Sequence, residues 1–237
     1  MTVNIIFLIS FNFLFCGLLK PLNGNNSLNY IHIYFEWDQE PNASKYQLQV
    51  SNQIIFDNLI LDVEENSTAY IDKEHFDWET DYYWRVRAIY ENNSYGDWIG
   101  TSYFRTKEKI LPNLDVSIYN DNLIEDGLIM YSQFSPYLAV GVIDKNGNEI
   151  WNTQSVYMNH INENGQLYGV NGQGVQFNYD EQIIWATPNG TEIDGHEVKQ
   201  IPNGNYMAFV PSYQQGPIPL GDWTNLFQSF GYAADGI

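Results

Sequence analysis

Side chains able to act as nucleophiles or metal ligands near neutral pH are sparse in this chain: four histidines and one cysteine, Cys16. The histidines are scattered, and no His/Cys pair has ligand spacing. The run Asp144-Lys145-Asn146-Gly147-Asn148 begins like a calcium loop. Ser155 stands at the twelfth position, where such a loop requires Glu, so the run reads as a hairpin turn. No Gly-x-Ser-x-Gly, phosphate-loop or dinucleotide fingerprint occurs, and neither a cofactor nor a metal is expected. Imidazole chemistry remains. His196 stands in the run Asp194-Gly195-His196-Glu197-Val198-Lys199-Gln200-Ile201-Pro202-Asn203-Gly204-Asn205-Tyr206, and His160 lies in the preceding unit. With an unperturbed pKa of about 6.5, imidazole is largely neutral near pH 7 and can attack or carry a proton. On a strand, Glu197 points away from the side His196 faces. Asn203-Gly204 is a turn signal.

The elements that position these residues repeat. The segment Val142-Ile143-Asp144-Lys145-Asn146-Gly147-Asn148-Glu149-Ile150-Trp151 is two strands around a turn. Val175 to Trp185 repeats the plan, with the tryptophans 34 residues apart. Asn164-Gly165 and Asn203-Gly204 form a second pair, 39 apart. Periods near 40 carrying only strand signals point to propeller blades. Residues 114–237 hold about three such units, fewer than the four a closed propeller needs, so the chain is expected to be the N-terminal part of a longer protein.

Ahead of them, three stretches alternate apolar and polar residues: Ile31 to Trp37, Tyr46 to Val50 and Tyr82 to Ala88. Such alternation puts one strand face in a core. Pro41-Asn42-Ala43 and Tyr95-Gly96-Asp97 read as turns. Arg85 and Arg87 alternate outward and read as a solvated face. About seven short strands over residues 29–106 suit a two-sheet sandwich. Lys107 to Asn113 reads as the boundary before the second region.

Composition narrows the partners. Asp and Glu number 29 against 10 Lys and Arg, a net charge of -19, which argues against nucleic acid and anionic membrane surfaces. Residues 1–23 read as a secretory signal. Ile5 to Leu19 is an apolar run of about 15 residues, short of the roughly 20 that span a bilayer. Export to the periplasm, the cell surface or the medium is therefore expected, with an uncleaved membrane anchor as the rival reading and a lipid-anchored Cys16 as a lesser one. Cleavage near Asn23 or Gly24 would leave a mature protein without cysteine.

Two resemblances follow from these residues. Trp37, YQLQVS (Tyr46 to Ser51), YYWRVRA (Tyr82 to Ala88), GDW (Gly96 to Trp98) and FRT (Phe104 to Thr106) resemble the fibronectin type III pattern. That resemblance implies a core Trp37, a corner tyrosine at Tyr82 or Tyr83, and a module that makes protein or glycan contacts. Over roughly residues 120–210, the His196-to-Asn205 run and VIDKNGNEIW (Val142 to Trp151) resemble arylsulfotransferase-type propellers. That family moves a sulfuryl group from one phenol to another through a transiently sulfated histidine, and it places a β-sandwich before the propeller. The resemblance implies His196, and more weakly His160, as catalytic candidates, with a phenolic sulfate as donor and a phenol as acceptor. Where the family often has two adjacent histidines, this chain has Gly195-His196.

The fold expected is thus all-β: a signal peptide (1–23), a fibronectin type III-like sandwich (29–106) and a partial, arylsulfotransferase-like β-propeller (114–237). The function expected is an exported aryl sulfotransferase-like protein. The alternative is a non-catalytic secreted or cell-surface binding protein built from the same modules.

Overall fold

The structure, a computed structural model, describes residues 17–111, 116, 120, 122–133, 137–154 and 156–210. Every regular element among them is a strand, and no described sheet closes on itself. The first nine are β1 (Leu18–Lys20), β2 (Asn25–Leu28), β3 (Ile33–Trp37), β4 (Ala43–Ser51), β5 (Leu59–Glu65), β6 (Ala69–Asp72), β7 (Asp81–Tyr90), β8 (Tyr95–Trp98) and β9 (Ser102–Thr106). They form two sheets, one ordered β1-β3-β6 and the other β2-β9-β7-β4-β5, with β8 also paired to β7.

The alternating stretches are what bring these sheets together. In β3, Ile33, Phe35 and Trp37 are buried while Tyr34 and Glu36 are half-exposed, and β7 alternates in the same way from Tyr82 to Ala88. A period of two matches the pleat, so every second side chain faces one core. Ile33, Phe35 and Trp37 from one sheet share that core with Leu48, Val50, Trp84, Val86 and Phe104 from the other. The Phe35 ring meets Trp84 edge-on, with centroids 5.2 Å apart. Each large side chain so buried stabilises the fold by about 1.5–3 kcal/mol. The result is a two-sheet arrangement of the sandwich kind.

Of the two candidate corner tyrosines, Tyr82 is the buried one, and its hydroxyl accepts the Asp77 N–H at 2.8 Å. Tyr83 faces outward and packs on Tyr103. Tyr95-Gly96-Asp97 is not a turn but part of β8; the chain reverses just ahead of it, where Asn93 takes a positive φ of 61°. The Asn93 N–H donates to Tyr90 O at 2.8 Å and leaves Tyr95 free to pair with Ile89.

β1 overlaps the end of the apolar run and lies within the residues read as a leader. Leu18 pairs with Trp37 and Lys20 with Glu36, and the Gly17 and Asp38 backbones are joined by Asp38 N–H donating to Gly17 O at 2.9 Å. The sandwich therefore begins ahead of residue 29.

The next nine strands are β10 (Ile129–Gln133), β11 (Ala139–Ile143), β12 (Glu149–Gln154), β13 (Tyr157–Ile161), β14 (Leu167–Val170), β15 (Gly174–Phe177), β16 (Ile183–Ala186), β17 (Val198–Gln200) and β18 (Tyr206–Ala208). They form a three-stranded meander β10-β11-β12, a four-stranded meander β13-β14-β15-β16, and the hairpin β17-β18. Four of their hairpin loops share one hydrogen-bond scheme. In each, the first residue's N–H donates to the carbonyl four residues on, and its carbonyl accepts the N–H three residues on: Asp144/Asn148, Asn162/Gln166, Asn178/Gln182 and Ile201/Asn205. The fourth residue of each loop has φ between 62° and 85°, and it is Gly147, Gly165, Glu181 or Gly204. This three-residue loop needs a left-handed residue there, which explains the Gly in three of the four. Asp144 and Asn178 precede the strands carrying Trp151 and Trp185, so the sequence repeat is a repeat of loop position.

The chain divides into two compact units. One holds residues up to Tyr131 together with Gly141–Thr153; the other holds Ser132–Val140 and the residues from Gln154 onward. Within the first unit, the hairpin carrying Glu149 is tied to the sandwich strands. Tyr30 bridges to Trp151, Ile31 N–H donates to Ile150 O at 2.9 Å, and Asn152 N–H donates to Asn29 O at 3.0 Å. The buried Glu149 carboxylate accepts the Ile110 N–H at 3.1 Å, the Leu111 N–H at 2.7 Å and the Asn152 amide at 2.5 Å. Residues 107–111 are thereby held along their backbone. Gly141 lies so close to Leu111 that a Cβ would sit 2.0 Å from its Cδ1.

Candidate functional site

His196 lies in the second unit, in the turn that leads into β17 and not on the strand itself. The strand is registered on β18 by the pairs Val198/Ala208, Lys199/Met207 and Gln200/Tyr206. Val198 is fully buried and fixes the inward face, while the His196 side chain is 86% exposed. Glu197 forms an ion pair with Lys199.

The turn is built by two polar side chains. Asp194 Oδ1 accepts the His196 backbone N–H at 2.9 Å and also contacts the ring Nδ1. The backbone N–H of His196, then its ring, hold the Asp194 carboxyl below the usual carboxylate range. Asn159, on β13, brackets the same turn: its Nδ2 donates to Gly195 O at 3.1 Å and its Oδ1 accepts the Val198 N–H at 3.4 Å. The Asp194 N–H donates to Phe209 O at 2.9 Å. The imidazole is thus held at one nitrogen by a carboxylate, on a loop fixed at both ends, with the remainder of the ring open to solvent.

His160 occupies a different place. It sits on β13 opposite Tyr168, with ring centroids 5.6 Å apart. It lines a cleft of about 540 Å³ together with Asn162, Glu163, Tyr168, Gln200 and Pro202. Asn162 and Ile201 head equivalent loops, so His160 corresponds to Lys199, and His196 corresponds to Tyr157 at the other end of the earlier strand. The structure therefore does not bring the two candidate histidines to equivalent positions, and His196 is not part of the cleft.

Among the described residues no three His, Cys, Asp or Glu side chains gather as a metal site. Asp144 spends its carboxylate within its own loop: burial pushes its pKa up, but bonds from Asn148 and Asn146 outweigh this and hold it low.

Sequence reasoning missed Asp194 and Asn159 as supports for His196. The Asp-x-His spacing is a visible signal, because a short carboxylate reaches the backbone N–H two residues on. The Asn159 contact has no local signal, since 36 residues separate it from Gly195. Arg85 and Arg87 are also not simply a solvated face. The Arg85 guanidinium lies 4.0 Å from the Phe56 and Trp98 ring centres, and that of Arg87 lies 4.0 Å from Tyr95 and 4.4 Å from Trp98. Gln49 and Gln47 accept from them, and both Gln amides donate to Asp62.

No protein-family model and no curated protein matches the chain.

Proposed function

We propose that this chain is the N-terminal part of an exported aryl sulfotransferase-like protein, with a fibronectin type III-like module preceding the first blades of a β-propeller. In this reading His196 accepts a sulfuryl group from a phenolic sulfate and passes it to a phenol. The observation that carries the proposal is the exposed imidazole of His196, held at one nitrogen by Asp194. A neutral imidazole with one free nitrogen is a competent nucleophile near pH 7. The four-stranded antiparallel meander β13-β14-β15-β16 is compatible with this reading, since a propeller blade is a sheet of four strands, and its loops recur at equivalent positions before and after it. Cleavage of a leader near Asn23 would remove β1, which pairs with β3.

The test is an assay of the full-length gene product with a chromogenic aryl sulfate and a phenol acceptor, alongside His196→Ala. Turnover that vanishes in the variant, with sulfohistidine detected at position 196 in the parent, is the expected result. Absence of both turnover and sulfohistidine removes the enzyme reading. The Arg85–Trp98–Arg87 stack favours a second reading, a non-catalytic surface protein that binds through its sandwich. Trp and Arg with restrained side chains are the residue types that anchor interfaces.

A further inference from the structure

We infer that Asp194 is a positioning residue that holds His196 as its Nδ1–H tautomer, so that Nε2 is the nitrogen that takes the sulfuryl group. The inference rests on the reading of His196 as the sulfuryl acceptor, but its geometry stands apart from that reading. One carboxylate oxygen, Asp194 Oδ1, meets both the backbone N–H and the ring Nδ1 of His196. A carboxylate oxygen can only accept, so the ring nitrogen facing it carries hydrogen. In a neutral imidazole the other nitrogen, Nε2, then holds the lone pair. The opposite tautomer would aim a nitrogen lone pair at the carboxylate.

The pair is held from outside as well as from within. Asp194 N–H is bonded to Phe209 O, and Asn159 takes hold of Gly195 and Val198, the residues flanking the His196–Glu197 step. A reactive group held by a second set of hydrogen bonds loses less freedom when it acts.

The same contact serves the charge that develops. When Nε2 attacks the sulfur of an aryl sulfate, the N–S bond forms and the S–O bond to the aryl group breaks. The phenolate leaves with that electron pair and takes a proton from water. The ring, still bearing hydrogen on Nδ1, becomes an imidazolium whose positive charge lies beside the Asp194 carboxylate. The acceptor phenol then attacks the sulfur and gives its proton to water, the N–S bond breaks, and the neutral Nδ1–H ring returns. Each half-step closes with water alone as the proton donor or acceptor, and no atom changes oxidation state.

Two-bond nitrogen–proton correlation spectra of the full chain labelled with ¹⁵N-histidine test this without any substrate, at a pH where His196 is neutral. The His196 signals are assigned by their loss in His196→Ala. In the parent protein the Nδ1–H form is expected to dominate. In Asp194→Asn, where an amide replaces the charged acceptor, the ratio of Nδ1–H to Nε2–H is expected to fall about fivefold or more, in line with the strength of a charge-assisted hydrogen bond. A parent protein with His196 mainly in the Nε2–H form overturns the inference, whether or not the variant folds. So does a ratio that Asp194→Asn leaves unchanged. Because the resting tautomer is read directly, failure of sulfuryl transfer would remove the enzymatic reading and leave this result standing. Where sulfohistidine does form, its sulfur is expected on Nε2, and a sulfur on Nδ1 likewise overturns the inference.

Discussion

Replacing Glu149 by Gln probes the joint between the sandwich strands and the hairpin that follows them. The side chain is 2% exposed and of the same size as Gln, so the exchange opens no cavity and isolates the hydrogen bonding. Three N–H groups converge on its two oxygens, from Ile110, Leu111 and Asn152. A Gln carboxamide keeps one oxygen and sets an NH₂ where the other stood. At least one of the three donors then faces a donor in a dry environment. A hydrogen bond to a charged group is worth about 1.5–3 kcal/mol, and a buried orphaned N–H costs about 1–3 kcal/mol. Since the two figures overlap, the expected loss is about 2–4 kcal/mol, which lowers the melting temperature by roughly 5–15 °C for a unit of this size. Urea denaturation followed by tryptophan fluorescence measures it, because Trp78 donates to the Glu149 carbonyl and Trp151 lies two residues further on. Glu64→Gln is the control: Glu64 is exposed and pairs with an exposed Lys45, a contact worth at most about 1 kcal/mol. A Glu149→Gln midpoint within about 0.5 kcal/mol of the parent would refute the clamp, since surface changes alone scatter that much.

Two other outcomes follow from single residues. Glu181 holds φ at 62° in the loop position where the three equivalent loops carry Gly. Glu181→Gly is therefore expected to stabilise the second unit by about 0.5–1 kcal/mol, and Gly165→Ala to destabilise it by about 1 kcal/mol, measured by thermal melts. A destabilised Glu181→Gly or a stabilised Gly165→Ala would contradict the shared loop geometry. Asp81 accepts from the Tyr103 hydroxyl at 2.6 Å and from Arg105 at 2.8 Å; the hydroxyl bond, opposed by slight burial and aided by the Arg105 contacts, holds its pKa below the ordinary value. A depressed folded-state pKa stabilises above the unfolded value, and that stability is lost as pH falls through the folded value. Stability measured from pH 6 downward should decline below about pH 4 in the parent, and this limb should be shallower in Asp81→Asn. Equal acid limbs would count against the pairing.

Much of the architecture is written in local pattern. Alternation in Ile33–Trp37 and in Tyr82–Ala88 dictates a buried face because the pleat has the same period, and no distant contact is needed to see it. The Asp-Lys-Asn-Gly and Ile-Pro-Asn-Gly loops are equally legible, since a left-handed position selects Gly by sterics alone. These loops also reveal the repeat, but the sequence reads His196 as part of a strand, whereas it lies in the turn ahead of β17. Which features escape is also physical. Leu18–Lys20 begins at the end of an apolar run that an export signal would equally require, and its pairing with β3 makes it a strand. Tyr82 and Tyr83 are the same residue type in adjacent positions, and the facing sheet selects Tyr82 for the core.

The order of residues alone thus determined the alternating strands, their buried faces and the recurrent loops. Each of these depends on neighbours within a few positions. The tertiary structure alone decided that Glu149 gathers the backbone of residues 110 and 111, that Arg85 and Arg87 lie on aromatic rings, and that Asn159 steadies the turn bearing His196. Those contacts join residues tens of positions apart. A hydrogen bond or a stacked cation depends on distance and angle, and only the packed chain supplies both.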